Sequence, residues 1–262
     1  MQTAGNLAQG YEEGIENMKP LVSVIIAVRN GERYLPAAIE SVRQQDYRPL
    51  ELIVVDGHSS DNTAAIARSY RDLRYVPQVN RGVADAWNQG IAAAKADLLA
   101  FFSHDDLWLP HKLGRHMDLM LSRPELQYTV SRVKFFLEPG HSIPSGFREE
   151  LLVGDRVAYI PETLVARKAL FARIGGFDPQ LSTAEDVDWF ARAKDHHVTH
   201  EVIPEVLVHK RVHDSNISLN SMTNDQMLLT TLRQSIHRKR TFDSKTMVPG
   251  SAENGNTRLN QK

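Results

Sequence analysis

In the stretch FFSHDDLWLP, residues 101 to 110, two aromatics run directly into His104, Asp105 and Asp106 before the chain turns apolar again. Two adjacent carboxylates at the exit of a core need something to hold. Carboxylate oxygen is the donor that hard Mg²⁺ or Mn²⁺ prefers. An aspartate before LWLPHKL also suits a helix N-cap, which accounts for Asp106 and leaves Asp105 without a task. A second acidic pair, Glu185 and Asp186, opens AEDVDWFARAKDH. Acids are favoured at a helix start by the dipole alone.

The elements around these residues follow from hydrophobic spacing. LVSVIIAV reads as a buried strand, then a turn at Arg29-Asn30-Gly31 and a helix over Glu32 to Gln45. LELIVVD is a second buried strand ending at Asp56, and a helix follows from Asp61-Asn62-Thr63, with Asp61 at the N-cap. LRYVPQ is a third strand, Val83 to Lys95 a helix, and DLLAFFS a fourth strand ending at the acidic pair. Strands apolar on both faces and alternating with helices imply a mostly parallel sheet covered on both sides. Ligands bind such sheets at the carboxyl ends of the strands, where Asn30, Asp56, Asn80 and Asp105 all fall.

The later half is less regular. LQYTVSRVKFFL reads as a strand, Glu138 to Arg156 as a loop suited to a lid or acceptor wall, and IPETLVARKALFARIGGFD as helical pieces ended by Gly175-Gly176. HEVIPEVLVHKRVH reads as strand segments around Pro204, and SMTNDQMLLTTLRQSIHRKR as a closing amphipathic helix. The expected division is a leader over 1–20, one domain over 21–240 and a disordered tail over 241–262. Within the domain, 21–110 is the regular strand–helix half, 111–220 the less regular half and 221–240 the closing helix.

Composition narrows the classes. The chain has 262 residues, 42% of them hydrophobic and 24% charged, with a formal net charge of −1, so no global field recruits nucleic acid or an anionic membrane. It has no cysteine, which removes disulfides, thiolate metal sites and cysteine nucleophiles. The first residues lack the pattern of a signal peptide, and the apolar runs fall short of the roughly 20 residues that span a bilayer. The expectation is a cytoplasmic protein whose closing helix docks on the domain, with contact at the inner membrane or a second copy of the chain as alternatives. No G-x-G-x-x-G follows a strand, which argues against a dinucleotide-dependent dehydrogenase.

Five pieces in order resemble the family 2 glycosyltransferases. They are VSVIIAVRNGERYLPAAIESVRQQDY, LELIVVDGHSSDNT, NRGVADAWNQGIAAAKADLLAFFSHDDLW, GGFDPQLSTAEDVDWFAR and HKRVHDSNIS, spanning Val22 to Ser218. The resemblance implies the GT-A fold, a Rossmann-like, mostly parallel sheet with a smaller acceptor-side region. It implies transfer of a sugar, with inversion, from a nucleotide-sugar, UDP- or another nucleoside-diphosphate sugar, to an acceptor hydroxyl. It also implies a divalent cation, Mn²⁺ or Mg²⁺, to neutralise the departing diphosphate.

Carried onto this chain, the family motif Asp-x-Asp-Asp aligns with Ser103-His104-Asp105-Asp106, a serine replacing the first carboxylate. That replacement leaves the strength of metal dependence open. Asp105 becomes the metal ligand and His213 a second ligand closing over the diphosphate. Donor contacts are implied for Val28, Asn30 and Glu32 in the first loop, Asp56 as reader of the base, and Asn80, Gly82, Asp85 and Asn88 under the diphosphate and sugar. His104 and Arg211 are implied contacts too, Asp106 either orients the site or contacts the sugar and ribose, and Lys210 or Arg211 suits phosphate oxygens. Asp186, with Glu185 beside it, becomes the base that takes the acceptor's proton. Trp189 lines the acceptor cleft or, as the stronger expectation, packs in the core. The alternatives are a nucleotidyltransferase on a similar sheet and a non-catalytic nucleotide-sugar-binding module. The acceptor, whether saccharide, lipid-linked saccharide, peptide or small molecule, is not legible.

Overall fold

The computed structural model describes residues 19–216, 228–236 and 238. The expected leader up to residue 18, the tail from 241 and the parts of the closing helix at 221–227, 237, 239 and 240 lie outside the described residues.

Strand β1 (Val22–Val28) has every residue buried, as its apolar run on both faces requires. β2 (Leu50–Asp56), β3 (Leu73–Pro77) and β4 (Leu98–Ser103) complete a parallel unit in the order β3-β2-β1-β4. The registers align the strand ends: Val28 lies opposite Asp56, Asp56 opposite Pro77, and Ala27 opposite Ser103. Loops leaving these strands therefore open at one rim.

Helices cover both faces. Val24, Ile26 and Val28 pack towards α1 (Leu35–Arg43), while Ile25 and Ala27 pack on the other face towards α3 (Val83–Ala93); α2 (Thr63–Ser69) runs between β2 and β3. The first helix starts at Leu35, three residues later than expected, because residues 32–34 form a turn whose Tyr34 and Leu35 amides both donate to the Gly31 carbonyl. Asp61 does act at the start of α2, its carboxylate accepting from the Thr63 amide at 3.0 Å.

Beyond β4 the sheet becomes mixed. β5 (Leu107–Trp108) and α4 (Lys112–Ser122) lead to β6 (Tyr128–Leu137), β7 (Arg156–Val157) and β8 (Val165–Arg167), then α5 (Lys168–Ile174), α6 (Glu185–Asp195) and β9 (His200–Val212). β8 corrects the expectation of helical pieces over 160–178. Three residues are too few to show a period, and this strand lies antiparallel between β4 and β6, with Ala166 opposite both Leu99 and Tyr128. The segments around Pro204 form one strand whose parallel pairing with β6 slips between Ser131 and Val133. Proline has no amide to donate, so the ladder gives way at Pro204 and resumes beyond it.

The resumed part of β9 is what serves the site. Leu107 pairs with His209 across the β5–β9 ladder, which sets Lys210, Arg211 and His213 against Asp105 and Asp106.

Residues 228–236 are helical and docked on α6 through polar groups: the Ser235 hydroxyl lies 2.9 Å from Asp195, and Arg238 donates to Asp195 at 3.0 Å. The described face away from α6 leaves Leu229, Leu232 and Ile236 exposed. Among the described residues no helix is long and apolar enough to cross a membrane.

Candidate active site

The rim opens into a cavity of about 1250 Å³. On the β1–β3 side it is lined by Val28, Asn30, His58 and Gln78, and at the end of β4 by Ser103, His104 and Asp105. Across it stand Glu162, Glu185 and Asp186, with Lys210 and His213 from the β9 side. Both acidic pairs singled out from the sequence thus contribute to one cavity.

Asp105 is the carboxylate presented there. Its Oδ2 lies 2.9 Å from His213 Nε2 and 3.4 Å from the Asn216 amide nitrogen, which donates to it. Burial works against its charge, but the His213 hydrogen bond and the neighbouring His104 and Lys210 outweigh it, holding the carboxyl below the ordinary range. Asp105 is therefore an anion throughout the neutral range. Burial pulls the His104 imidazole down, so it is neutral beside it. The left-handed Asn30 (φ 51°) delivers Gly31 against that ring, where an added Cβ would stand 2.5 Å from His104 Cδ2, so only glycine fits.

Asp106 faces the other way. It is 1% exposed and does not line the cavity; its Oδ2 accepts from Lys210 at 3.0 Å and its Oδ1 from the Arg211 amide at 2.8 Å. This overturns both the N-cap reading and direct donor contact, and makes Asp106 the support that holds β9 to the end of β4. Burial, with Asp105 and Glu162 adding to it, pushes its carboxyl up, and the Lys210 ammonium opposes that rise and keeps it charged. Replacing Lys210 with methionine leaves two buried carboxylates without their cation. The expected loss is about 3 kcal/mol of unfolding free energy by urea titration, and an unchanged midpoint would contradict the assignment.

Of the acidic pair at the start of α6, Glu185 is buried and Asp186 is partly exposed to the cavity. Burial and the neighbouring Asp186 push Glu185 up to about 8. Burial raises Asp186 to about 6, with Glu162 adding to the rise and the Val187 amide and Lys210 opposing it. Adjacent as they are, the two carboxyls titrate as a pair, with Glu185 raised further than Asp186. Asp188 instead pairs with Arg192 at 2.8 Å, and Trp189 is fully buried against Phe171, in the core as expected.

For a divalent cation, the donors facing the cavity are one carboxylate oxygen of Asp105 and the imidazole of His213. Among the described residues no three His, Asp or Glu side chains converge. Asp105 Oδ2 and His213 Nε2 are joined by a hydrogen bond of 2.9 Å, so His213 would have to give up its Nε2 proton to bind a cation beside Asp105. The donor set fits a cation that keeps the rest of its shell for phosphate oxygens and water.

A family model described as glycosyl transferase family 2 matches residues 23–175. The chain belongs to glycosyl transferase family 2. An uncharacterised glycosyltransferase of Rickettsia typhi is 30% identical over 262 residues, 88% of this chain and 76% of that protein. Escherichia coli WfgD, a UDP-Glc:alpha-D-GlcNAc-diphosphoundecaprenol beta-1,3-glucosyltransferase, is 36% identical over 104 residues, 38% of this chain and 41% of its own. Staphylococcus aureus TarS 1-349 in complex with UDP-GlcNAc superposes with a TM-score of 0.61 at 22% identity, over 76% of this chain and 60% of that one. Mannosyltransferase PcManGT from Pyrobaculum calidifontis, in complex with GDP-Man and Mn²⁺, gives 0.63 at 19% identity, over 84% and 65%. These two likenesses show the GT-A fold, and the chain spans less than two thirds of either structure. Family membership sets aside the nucleotidyltransferase alternative.

Several residues expected to contact the donor stand elsewhere in this glycosyltransferase. Asp56 is 4% exposed and does not line the cavity; its oxygens accept from the Ser59 amide at 3.0 Å and the Tyr75 hydroxyl at 2.8 Å, so it shapes the turn before Gly57 and His58. Glu32 accepts from the Asn62 amide and side chain, and Asp85 from Gln78 and Asn80. Asn88 clamps Phe177, accepting from its amide at 2.9 Å and donating to its carbonyl at 2.7 Å. Arg211 donates to the Asp105 carbonyl and pairs with Glu138 under the Tyr34 ring. None of Glu32, Asn80, Asp85, Asn88 and Arg211 lines the cavity, whereas Gly82 does, with φ 95°. The backbone needs glycine there; the space does not, since an added Cβ meets nothing within 4 Å.

The glycosyltransferase cavity also has walls the sequence did not announce, among them Arg33, Tyr34, Arg81 and Glu162. Arg33 and Tyr34 sit in the turn first read as helix, and Glu162 sits in the stretch read as helical pieces.

Proposed function

We propose that the chain transfers a sugar from a nucleoside-diphosphate donor, a UDP-sugar in the first instance, to an acceptor hydroxyl by a single displacement with inversion. The observation that carries this is the one cavity lined by the strand-end loops, by Asp105 with His213, and by the Glu185–Asp186 pair. TarS is known with UDP-GlcNAc and WfgD is named for UDP-Glc, which favours uridine over the guanosine of PcManGT.

In this reading residues 21–110 hold the nucleotide and 111–220 shape the acceptor side. Val28, Asn30, His58 and Gln78 face the nucleoside, and the Gly82 backbone approaches the diphosphate. Asp105 and His213 would hold Mn²⁺ or Mg²⁺, with hard oxygen and borderline nitrogen donors suited to either. Bound there, the cation offsets charge growing on the departing diphosphate. Lys210 adds a fixed positive charge at the same wall.

Asp186 takes the acceptor hydroxyl's proton as the oxygen attacks the anomeric carbon and the bond to the diphosphate breaks. Glu185, protonated at neutral pH, serves as a hydrogen-bond donor. A single displacement requires one base and no covalent intermediate with the enzyme.

The acceptor reading is a hydroxyl of a saccharide, with the lipid-linked acceptor named for WfgD as the first to try. The protein is incubated with a panel of UDP-, GDP- and dTDP-sugars, with Mn²⁺ or with EDTA, and free nucleoside diphosphate is measured. Metal-dependent release from one donor is expected. Tight donor binding with no release, even with saccharide acceptors added, would favour the non-catalytic binding module instead.

A further inference from the structure

Glu162 precedes β8 in a short 3-10 turn, Pro161–Thr163, and is 6% exposed. The turn is pinned: the Thr163 hydroxyl donates to the Ala158 carbonyl at 2.6 Å, and Trp108 Nε1 to the Glu162 carbonyl at 3.2 Å. One carboxylate oxygen, Oε1, accepts from both the Ser103 hydroxyl and Lys210 Nζ, the latter at 3.1 Å. Oε2 makes no hydrogen bond to any described residue, is not sealed from solvent, and belongs to a residue that lines the cavity.

Its place along the cavity is specific. β8 is the neighbour of β4, so Glu162 sits beside the end of the strand that delivers Asp105, and away from the β1–β3 loops on the nucleoside side. In the other direction its charge is felt at Glu185 and Asp186, where it adds to the effect of burial. It therefore lines the same cavity as the carboxylate assigned to the diphosphate and the base assigned to the acceptor, tied to the end of β4 through Ser103. On the donor reading above, the transferred sugar lies in that part of the cavity. At Ser103 the chain lacks a carboxylate in the acidic motif, and Glu162 brings one to the same spot from a different element.

We propose that Glu162 Oε2 accepts a hydrogen bond from a hydroxyl of the transferred sugar and is a residue that selects the donor's sugar. Ser103 and Lys210 hold the other oxygen, which fixes the carboxylate plane before the donor arrives and lowers the ordering cost of binding. A rigid anionic acceptor discriminates hydroxyl orientation, since a sugar that turns its hydroxyl away leaves a charged acceptor unsatisfied. This rests on the donor reading above.

The test is isothermal titration of the wild type, Glu162→Ala and Glu162→Gln, each checked for an intact melting transition. The titrants, in Mn²⁺, are UDP-glucose, UDP-galactose, UDP-N-acetylglucosamine and GDP-mannose, together with UDP and GDP. For the sugar nucleotide that the wild type binds most tightly, the alanine variant should bind about tenfold or more weakly, while its parent diphosphate changes by less than about twofold. The glutamine variant should fall between, and it decides alone if the alanine variant does not fold. Equal weakening of sugar nucleotide and parent diphosphate, or no weakening of either, overturns the role of Glu162 and leaves the donor reading standing. A wild type that binds none of these sugar nucleotides overturns both.

Discussion

Replacing Asp186 with asparagine should lower kcat by about 10³-fold while leaving donor affinity nearly unchanged, because a carboxamide keeps the shape but accepts no proton. The pH dependence gives the claim a second, independent reading. Burial raises Asp186 to about 6, so its carboxylate is present above that pH and is lost as the pH falls through it. The kcat profile of the wild type should therefore decline on the acid side near pH 6, and the asparagine variant should lose that limb. Glu185 behaves oppositely. Burial and Asp186 push it up to about 8, so it is already protonated at neutral pH, and Glu185→Gln should be the milder change. A glutamine variant as inactive as the asparagine variant would reverse the two roles.

The second large effect is expected at Asp105. Asp105→Asn should reduce kcat/KM by about 10³-fold or more, since it removes the carboxylate charge assigned to a cation that would offset the leaving charge. The defect should be one of metal as well as rate: Mn²⁺ titrated in the presence of UDP should bind the wild type and fail to saturate the variant. His213→Ala should cost less, about tenfold in apparent Mn²⁺ affinity, because phosphate oxygen or water can replace a neutral imidazole. A variant at residue 105 with unchanged Mn²⁺ dependence would place the cation elsewhere.

The parallel unit was legible because its signals are local. The apolar runs of β1, β2 and β4 have both faces buried, and the polar residue after each marks the rim. What was not legible depends on pairing between distant segments. Val165–Arg167 shows no period in three residues and becomes a strand only because β4 and β6 flank it. With it comes Glu162, which no motif marks.

The same reason explains the site residues that moved. Asp56, Asp85 and Asn88 sit at the positions the family resemblance implies, but spacing cannot say whether a carboxylate faces a cavity or a neighbouring amide. Asp105 and Asp106 are adjacent and of one type, yet one lines the cavity and the other is sealed beneath Lys210. Lys112, fully buried with its ammonium 4.4 Å over the Trp108 ring, likewise reads in sequence as an ordinary helix-surface residue.

The most direct test is a crystal grown with Mn²⁺ and a nucleotide-sugar, examined by anomalous diffraction at the manganese edge. The expected peak lies within about 2.3 Å of an Asp105 carboxylate oxygen, with the donor diphosphate on the same ion and the Asp186 carboxylate on the acceptor side of the anomeric carbon. A peak remote from Asp105, or a donor whose anomeric carbon faces away from Asp186, would contradict it.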